Sequence, residues 1–153
     1  MKILQITPIL PSAITILAKQ IIKHNKDIEI KLATFHPKRP DSKEIENVRK
    51  LWNWCDLVDM QYWKSAAKIR ETLPNLWKTK KKIISHYNPY NLNEETWDDY
   101  AASIVVNKYQ HSVLPNSRLV PLSIELDFWT FNRSNYTVDP IVNMSVSRIE
   151  GKK

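Results

Sequence analysis

The chain has 153 residues and a formal net charge of +7, with 42% hydrophobic and 25% charged residues, a composition that excludes a disordered or fibrous polypeptide. No apolar run approaches the roughly 20 residues that cross a bilayer, and the opening stretch Met1–Ile6 is too short for a secretory signal, so the expected location is the cytoplasm. Cys55 is the lone cysteine, which excludes an internal disulfide and a thiolate metal site; glycine occurs once, at Gly151, which excludes a P-loop and a glycine-rich dinucleotide fingerprint.

Ile3-Leu4-Gln5-Ile6, closed by Thr7-Pro8, predicts a buried first strand. Pro8 and Pro11 stiffen the next loop, and Ser12 is placed to cap a helix in which Ile14, Leu17, Ala18, Ile21 and Ile22 follow helical spacing. Alternation over residues 28–34 predicts a second strand, and His36 to Pro40 forms a proline-bounded loop. Residues 43–54 predict a second helix through Ile45, Val48, Leu51 and Trp52, and Leu57–Met60 a third strand. Residues 64–73 read as helical, with Pro74 beyond their end; Ile83-Ile84-Ser85 is a fourth strand. Asn93 is placed to cap a short helix with Glu94 and Glu95 in its first turn. Ile104–Val106 predicts a fifth strand, residues 108–113 a short helix, Leu119–Leu122 a sixth strand and Ile141–Val146 a seventh, after an irregular stretch over 127–140.

Strands alternating with helices predict an α/β fold: a three-layer Rossmann-like sandwich, with a mostly parallel sheet of six to seven strands and helices on both faces. Ligands of such sheets bind beyond the carboxyl ends of the strands. That edge collects Thr7 to Ser12, Gln61 to Lys64, His86 to Asn88, Tyr90, Asn107 to Gln110, Ser123 and Glu125. Rings beside amides and hydroxyls suit a sugar, which has apolar faces and a hydroxyl rim, whereas a phosphate-only site calls for glycines and arginines. Trp52, Trp54, Trp77, Trp97 and Trp129 are expected in the core or an interface, Cys55 as a buried inert thiol, and His24, His36 and His111 at the surface. No histidine pair has metal-ligand spacing, so no metal is expected. The cluster Lys78, Lys80, Lys81 and Lys82 reads first as a solvated approach to the fourth strand and second as contact with an anionic membrane. Basic residues interleaved with base-stacking rings are lacking, which argues against nucleic acid.

Six segments carry a family likeness: Lys2–Pro8, Asp56–Trp63, Ile84–Pro89, Val105–Lys108, Val120–Phe128 and Val146–Lys153. In order and spacing they resemble the amino-terminal domain of retaining glycosyltransferases of the GT-B fold, of the family 4 kind. The resemblance covers nearly the whole chain. It implies a hexose transferred from a nucleotide-diphosphate sugar to an acceptor hydroxyl, with retention and without a bound metal or other cofactor. It makes residues 1–140 the acceptor-side domain and 141–153 the linker and first strand of a carboxy-terminal donor-binding domain, so that this chain is expected to be inactive by itself and to need that domain or a separate donor chain as partner. His86 matches the family's histidine near the reacting sugar. Pro11, Ser12, Tyr62, Trp63, Tyr87, Asn88, Asn107 and Lys108 fall where a sugar or lipid acceptor is held, and Arg148 and Lys153 match the arginine and lysine that grip the donor diphosphate. Departures are visible: Ile9-Leu10-Pro11-Ser12 replaces the family's paired glycines, Ser123-Ile124 a glycine and valine, and Ser147 the glycine before the arginine. Two rival readings are a non-catalytic glycan- or membrane-binding module or split subunit of the same fold, and a flavodoxin-like domain, which would call for an acidic cluster after the first strand or a phosphate loop. The location implied is cytoplasmic or peripheral at a membrane.

Overall fold

The computed structural model describes residues 1–9, 12–86, 97–114 and 116–120. The chain divides into two compact units, Met1–Leu122 and Ser123–Lys153, and every described residue belongs to the first. The predicted boundary at 140, the seventh strand and the helix capped by Asn93 lie outside the described residues.

The described elements run β1 (Lys2–Thr7), α1 (Ala13–His24), β2 (Glu29–Thr34), α2 (Ser42–Trp54), β3 (Leu57–Met60), α3 (Trp63–Thr72), α4 (Pro74–Trp77), β4 (Lys81–His86), a 3-10 turn (Trp97–Asp99), β5 (Ala102–Val105), α5 (Lys108–Val113) and β6 (Ser117–Leu119). The six strands form one sheet in the order β2-β1-β3-β4-β5-β6, and every pairing is parallel. The predicted α/β sandwich is therefore the observed fold, with a fully parallel sheet.

Several boundaries move: the fourth strand begins at Lys81 rather than Ile83, and the fifth occupies Ala102–Val105 rather than Ile104–Val106. The sixth strand occupies Ser117–Leu119 rather than Leu119–Leu122. Ser117 is buried and sits opposite Ser103, and Val120 makes a final amide bond to the Val105 carbonyl; Pro121 has no amide hydrogen with which to extend the ladder. The turn into β6 uses Asn116 at φ 52°, a left-handed conformation that asparagine takes more readily than most residues and that a chain almost without glycine must assign to another type. Pro74 opens the extra one-turn helix α4 at its first position, where a missing amide hydrogen does no harm.

Alternation along the strands separates two faces. Leu4 and Ile6 of β1, Val58 and Met60 of β3 and Ile84 of β4 join one apolar cluster with Val48 and Trp52 of α2, Ala66 and Ile69 of α3 and Trp77 of α4. Each large side chain removed from water there stabilises the fold by about 1.5–3 kcal/mol. Trp77 packs edge-on against Tyr100 at 5.9 Å and tilted against Trp52 at 6.1 Å. Helix α1 packs on β1 and β2, and the right-handed crossover from β1 to β2 puts it on the opposite face. Three helices are capped by the residue their sequences supply: Ser12 on α1, Asp41 with Glu44 in a reciprocal box on α2, and Asn107 on α5.

The lysine cluster at the entry to β4, whose first two residues are Lys81 and Lys82, is not a uniform solvated face. Lys82 is buried, donating from Nζ to the Trp77 and Lys80 carbonyls and lying 4.8 Å from the Trp77 ring centroid, and Lys80 reaches the Cys55 carbonyl. The apolar stems span the end of the core while carbonyls collect the ammonium groups, and burial pushes the Lys82 pKa down. Lys78 and Lys81 alone of the four are exposed. Cys55 is buried as expected; its Sγ donates to the Trp52 carbonyl, and burial raises its pKa, so little thiolate forms.

Candidate functional site

In this sheet the chain leaves β1 for β2 on one side and returns to β3 on the other, so the loops after β1 and β3 part company. A crevice outside the carboxyl ends of two such strands is where open α/β sheets bind ligands. The β1 side brings Thr7, Pro8 and Ile9; the β3 side brings Gln61, Tyr62 and Trp63.

Tyr62 and Trp63 are half-buried neighbours, with ring centroids 6.3 Å apart and planes tilted by 50°. The Lys64 Nζ lies 4.9 Å from the Trp63 ring centroid. Tyr62 is also the residue before α3, and it supplies no side-chain cap, unlike Ser12, Asp41 and Asn107 before α1, α2 and α5; Leu73 before α4 supplies none either. The first amides of α3 thus point toward this edge without a side-chain acceptor at the cap, beside two rings and an ammonium group.

On the sheet face opposite the apolar cluster, against which Trp63 packs, lies a buried polar group that the sequence reading did not single out. Asp59 projects from β3 away from the apolar cluster, and its carboxylate accepts from Gln5 Nε2 at 3.1 Å, from Gln61 Nε2, and from Ser85 Oγ at 3.3 Å. Gln5 and Asp59 are direct register partners, and Ser85 lies two residues beyond the partner of Asp59 on β4. Burial raises the Asp59 pKa from 3.8 to about 6, while the three hydrogen bonds pull it the other way. The arrangement holds Gln61, and Gln61 N also donates to the Ile6 carbonyl at 2.9 Å, so the exit of β3 toward Tyr62 is fixed from two directions. Gln5 Oε1 and Thr7 Oγ1 are buried without a hydrogen-bond partner. The signal for this cluster was present as a glutamine inside Ile3–Ile6 and an aspartate inside Leu57–Met60, two polar residues in short apolar strands.

Of the predicted site residues, Ser12, Tyr62, Trp63, His86, Asn107 and Lys108 fall at the carboxyl edge, at the start of α1, the end of β3, the end of β4 and the end of β5. Ser12 spends its Oγ on the Thr15 amide at 3.1 Å and the Thr15 hydroxyl at 2.8 Å. Asn107 Oδ1 accepts from the Gln110 amide at 2.8 Å, so its carbonyl is a helix cap. Lys108 is exposed. His86 closes β4, with its backbone paired to Val105. Pro11, Tyr87, Asn88, Arg148 and Lys153 lie outside the described residues. Of the histidines expected at the surface, His24 and His111 are exposed, but His111 Nδ1 hydrogen-bonds Ser117 Oγ at 2.8 Å; His36 is half-buried and its Nδ1 accepts the amides of Lys38 and Arg39. Among the described residues no group of histidine, cysteine or carboxylate side chains could hold a metal, and no helix is long and apolar enough to cross a membrane. An open cleft of about 380 Å³ lies away from this edge, lined by Arg49 and Asn53 of α2, Thr72 of α3 and the start of α4.

No family model, no curated protein and no solved structure matches this chain.

Proposed function

We propose that residues 1–122 form the acceptor-side domain of a retaining sugar-nucleotide glycosyltransferase, with the acceptor sugar held at the carboxyl edge around the β1–β3 switch point. The observation that carries this reading is the tilted Tyr62–Trp63 ring pair standing at that switch point. A sugar ring stacks its C–H face on an indole, and its hydroxyls need donors and acceptors nearby. The first amides of α3 and Lys64 offer donors beside the rings. Asp59 acts as a positioning residue: by fixing Gln61 it sets where the ring pair begins.

In this reading the nucleotide sugar comes from a donor-binding domain to which Arg148 and Lys153 belong, and His86, at the end of β4, is the histidine assigned to the reacting sugar. Stabilisation of the leaving diphosphate falls to the cationic groups of that domain, and the domain described here orients the attacking hydroxyl.

The test is a titration of this chain with a panel of mono- and disaccharides, following the indole N–H resonances. Binding should perturb the Trp63 signal, and Trp63→Ala should weaken it about tenfold, with circular dichroism confirming that the variant, which also loses a ring packed against the apolar cluster, stays folded. A chain that binds no saccharide in the panel, or whose binding ignores Trp63→Ala, overturns the reading. If saccharides bind but no transfer follows when a donor-binding domain and nucleotide sugar are supplied, the domain is a glycan-binding module.

A further inference from the structure

The cleft between α2 and α4 lies toward the amino ends of the strands, where α2 finishes before β3 and α4 before β4. Its volume of about 380 Å³ is that of a small-molecule site. Part of its lining is apolar and fixed. Leu73 belongs to the apolar cluster, Leu76 packs against that cluster, and Pro74 adds a rigid ring. The Leu73 amide donates to the Ile69 carbonyl at 2.7 Å, and the Trp77 amide to the Leu73 carbonyl at 3.0 Å. The rest of the lining is polar and uncommitted. Arg49 and Asn53 stand one turn apart on α2, and Asn75 comes from α4. Among the described residues, none of these three side chains has a hydrogen bond or ion pair. Lys50 and Lys78 are exposed neighbours in sequence of the lining residues, and no acidic residue occurs in 49–53 or 72–78. Two acids border these segments: Glu71 is paired with Lys68 at 2.8 Å, and Glu46, a turn before Arg49, does not line the cleft.

We propose that this cleft binds a small organic carboxylate with an apolar body. A guanidinium takes a carboxylate through two parallel N–H···O bonds, the strongest contact its planar fork makes. The Asn53 and Asn75 carboxamides donate to the same group or to a polar substituent beside it, and the apolar body lies against Leu73, Pro74 and Leu76. A neutral apolar ligand is a poorer occupant, because it would cover the guanidinium without pairing it. Inorganic phosphate is poorer too: Arg49 is the single cation in the lining, no glycine amides are there to cradle the oxygens, and the apolar wall would stay wet. The ring pair at the carboxyl edge takes no part, so this site does not depend on whether the domain handles sugars.

Benzoate is the probe, titrated into the isotope-labelled full chain while the side-chain N–H resonances of Arg49, Asn53 and Asn75 are followed. These should shift together and saturate, and benzamide, of the same shape but uncharged, should bind at least about tenfold more weakly. Arg49→Gln and Arg49→Lys should each weaken benzoate about tenfold, the second because an ammonium group lacks the planar fork. Lys43→Gln removes one charge from an exposed position at the start of α2 and should leave binding within about twofold. Arg49 is exposed, so its variants should fold, with circular dichroism as the check. The absence of saturable shifts, equal binding of benzamide, or an equal loss in Lys43→Gln overturns the proposal. So does inorganic phosphate binding as tightly as benzoate, which would make the cleft a site for any anion. Shifts confined to the Trp63 indole overturn it as well, by placing the probe at the carboxyl edge.

Discussion

The two faces of the central strands are built from opposite materials. Toward α2 and α3, β1, β3 and β4 present Leu4, Ile6, Val58, Met60 and Ile84; toward the other side the same strands present Gln5, Thr7, Asp59 and Ser85, all of them also buried. The apolar face gains from every side chain it removes from water. The polar face must satisfy each group it buries, and it does so incompletely, with Thr7 Oγ1 and Gln5 Oε1 left over and a carboxylate with no cation among its hydrogen-bond partners. A sheet that needed only stability could be apolar on both faces. Buried polar residues are concentrated on this second face of β1, β3 and β4.

The contrast predicts the largest loss on the apolar face. Trp52→Ala removes a fully buried ring that also touches Trp77 and should destabilise by about 3–5 kcal/mol in urea unfolding. A loss below about 1 kcal/mol would mean the cluster is loosely packed and the contrast overdrawn.

The polar face should respond to pH instead. Asp59 is raised from 3.8 to about 6, so the native state holds a proton that the unfolded chain releases between those values. Its contribution to stability is therefore fully present below about pH 4 and is lost as pH rises through about 6. A shift of about two units corresponds to about 3 kcal/mol. Asp59→Asn cannot titrate, so the stability difference between wild type and variant should move by about that much in the variant's favour between about pH 4 and pH 7. A difference that stays flat over this range would show that Asp59 is not desolvated.

Smaller changes refine the picture. Ser85→Ala removes one donor to Asp59 and should cost about 1 kcal/mol at neutral pH while raising the Asp59 pKa further, visible in the carboxyl carbon resonance. Asn107→Ala, at a residue that is not among the hydrogen-bond partners of Asp59, should cost about 1 kcal/mol through the lost α5 cap, leaving the Asp59 titration in place. If Asn107 instead chiefly serves a ligand, stability will hold and saccharide binding will fall.

The strand and helix periodicities of this chain were strong enough to read directly. Ile3–Ile6, Leu57–Met60 and the Ile45, Val48, Leu51, Trp52 series form the predicted elements, and Asn107 and Ser12 cap the helices that follow them. The lysine cluster was misread because hydropathy treats lysine as a charge and takes no account of its stem: Lys82 buries that stem on Trp77 and gives its ammonium to carbonyls brought close by the fold. The sixth strand was misplaced by two residues because its start depends on the partner that Ser103 offers, a long-range fact.

What the sequence determined by itself is local: which segments are strand or helix, where the caps fall, and that the chain alternates them into a parallel sheet. Those features follow from side-chain period and backbone chemistry within a dozen residues. The tertiary structure decided which residues meet. Gln5 and Asp59 are 54 positions apart, and Ser85 is a further 26 beyond Asp59, so their union exists only because parallel register sets β1, β3 and β4 side by side. No local pattern encodes a register between distant strands. It is fixed by the packing of the whole sheet, and with it the environment that lifts an ordinary carboxyl group toward neutral pH.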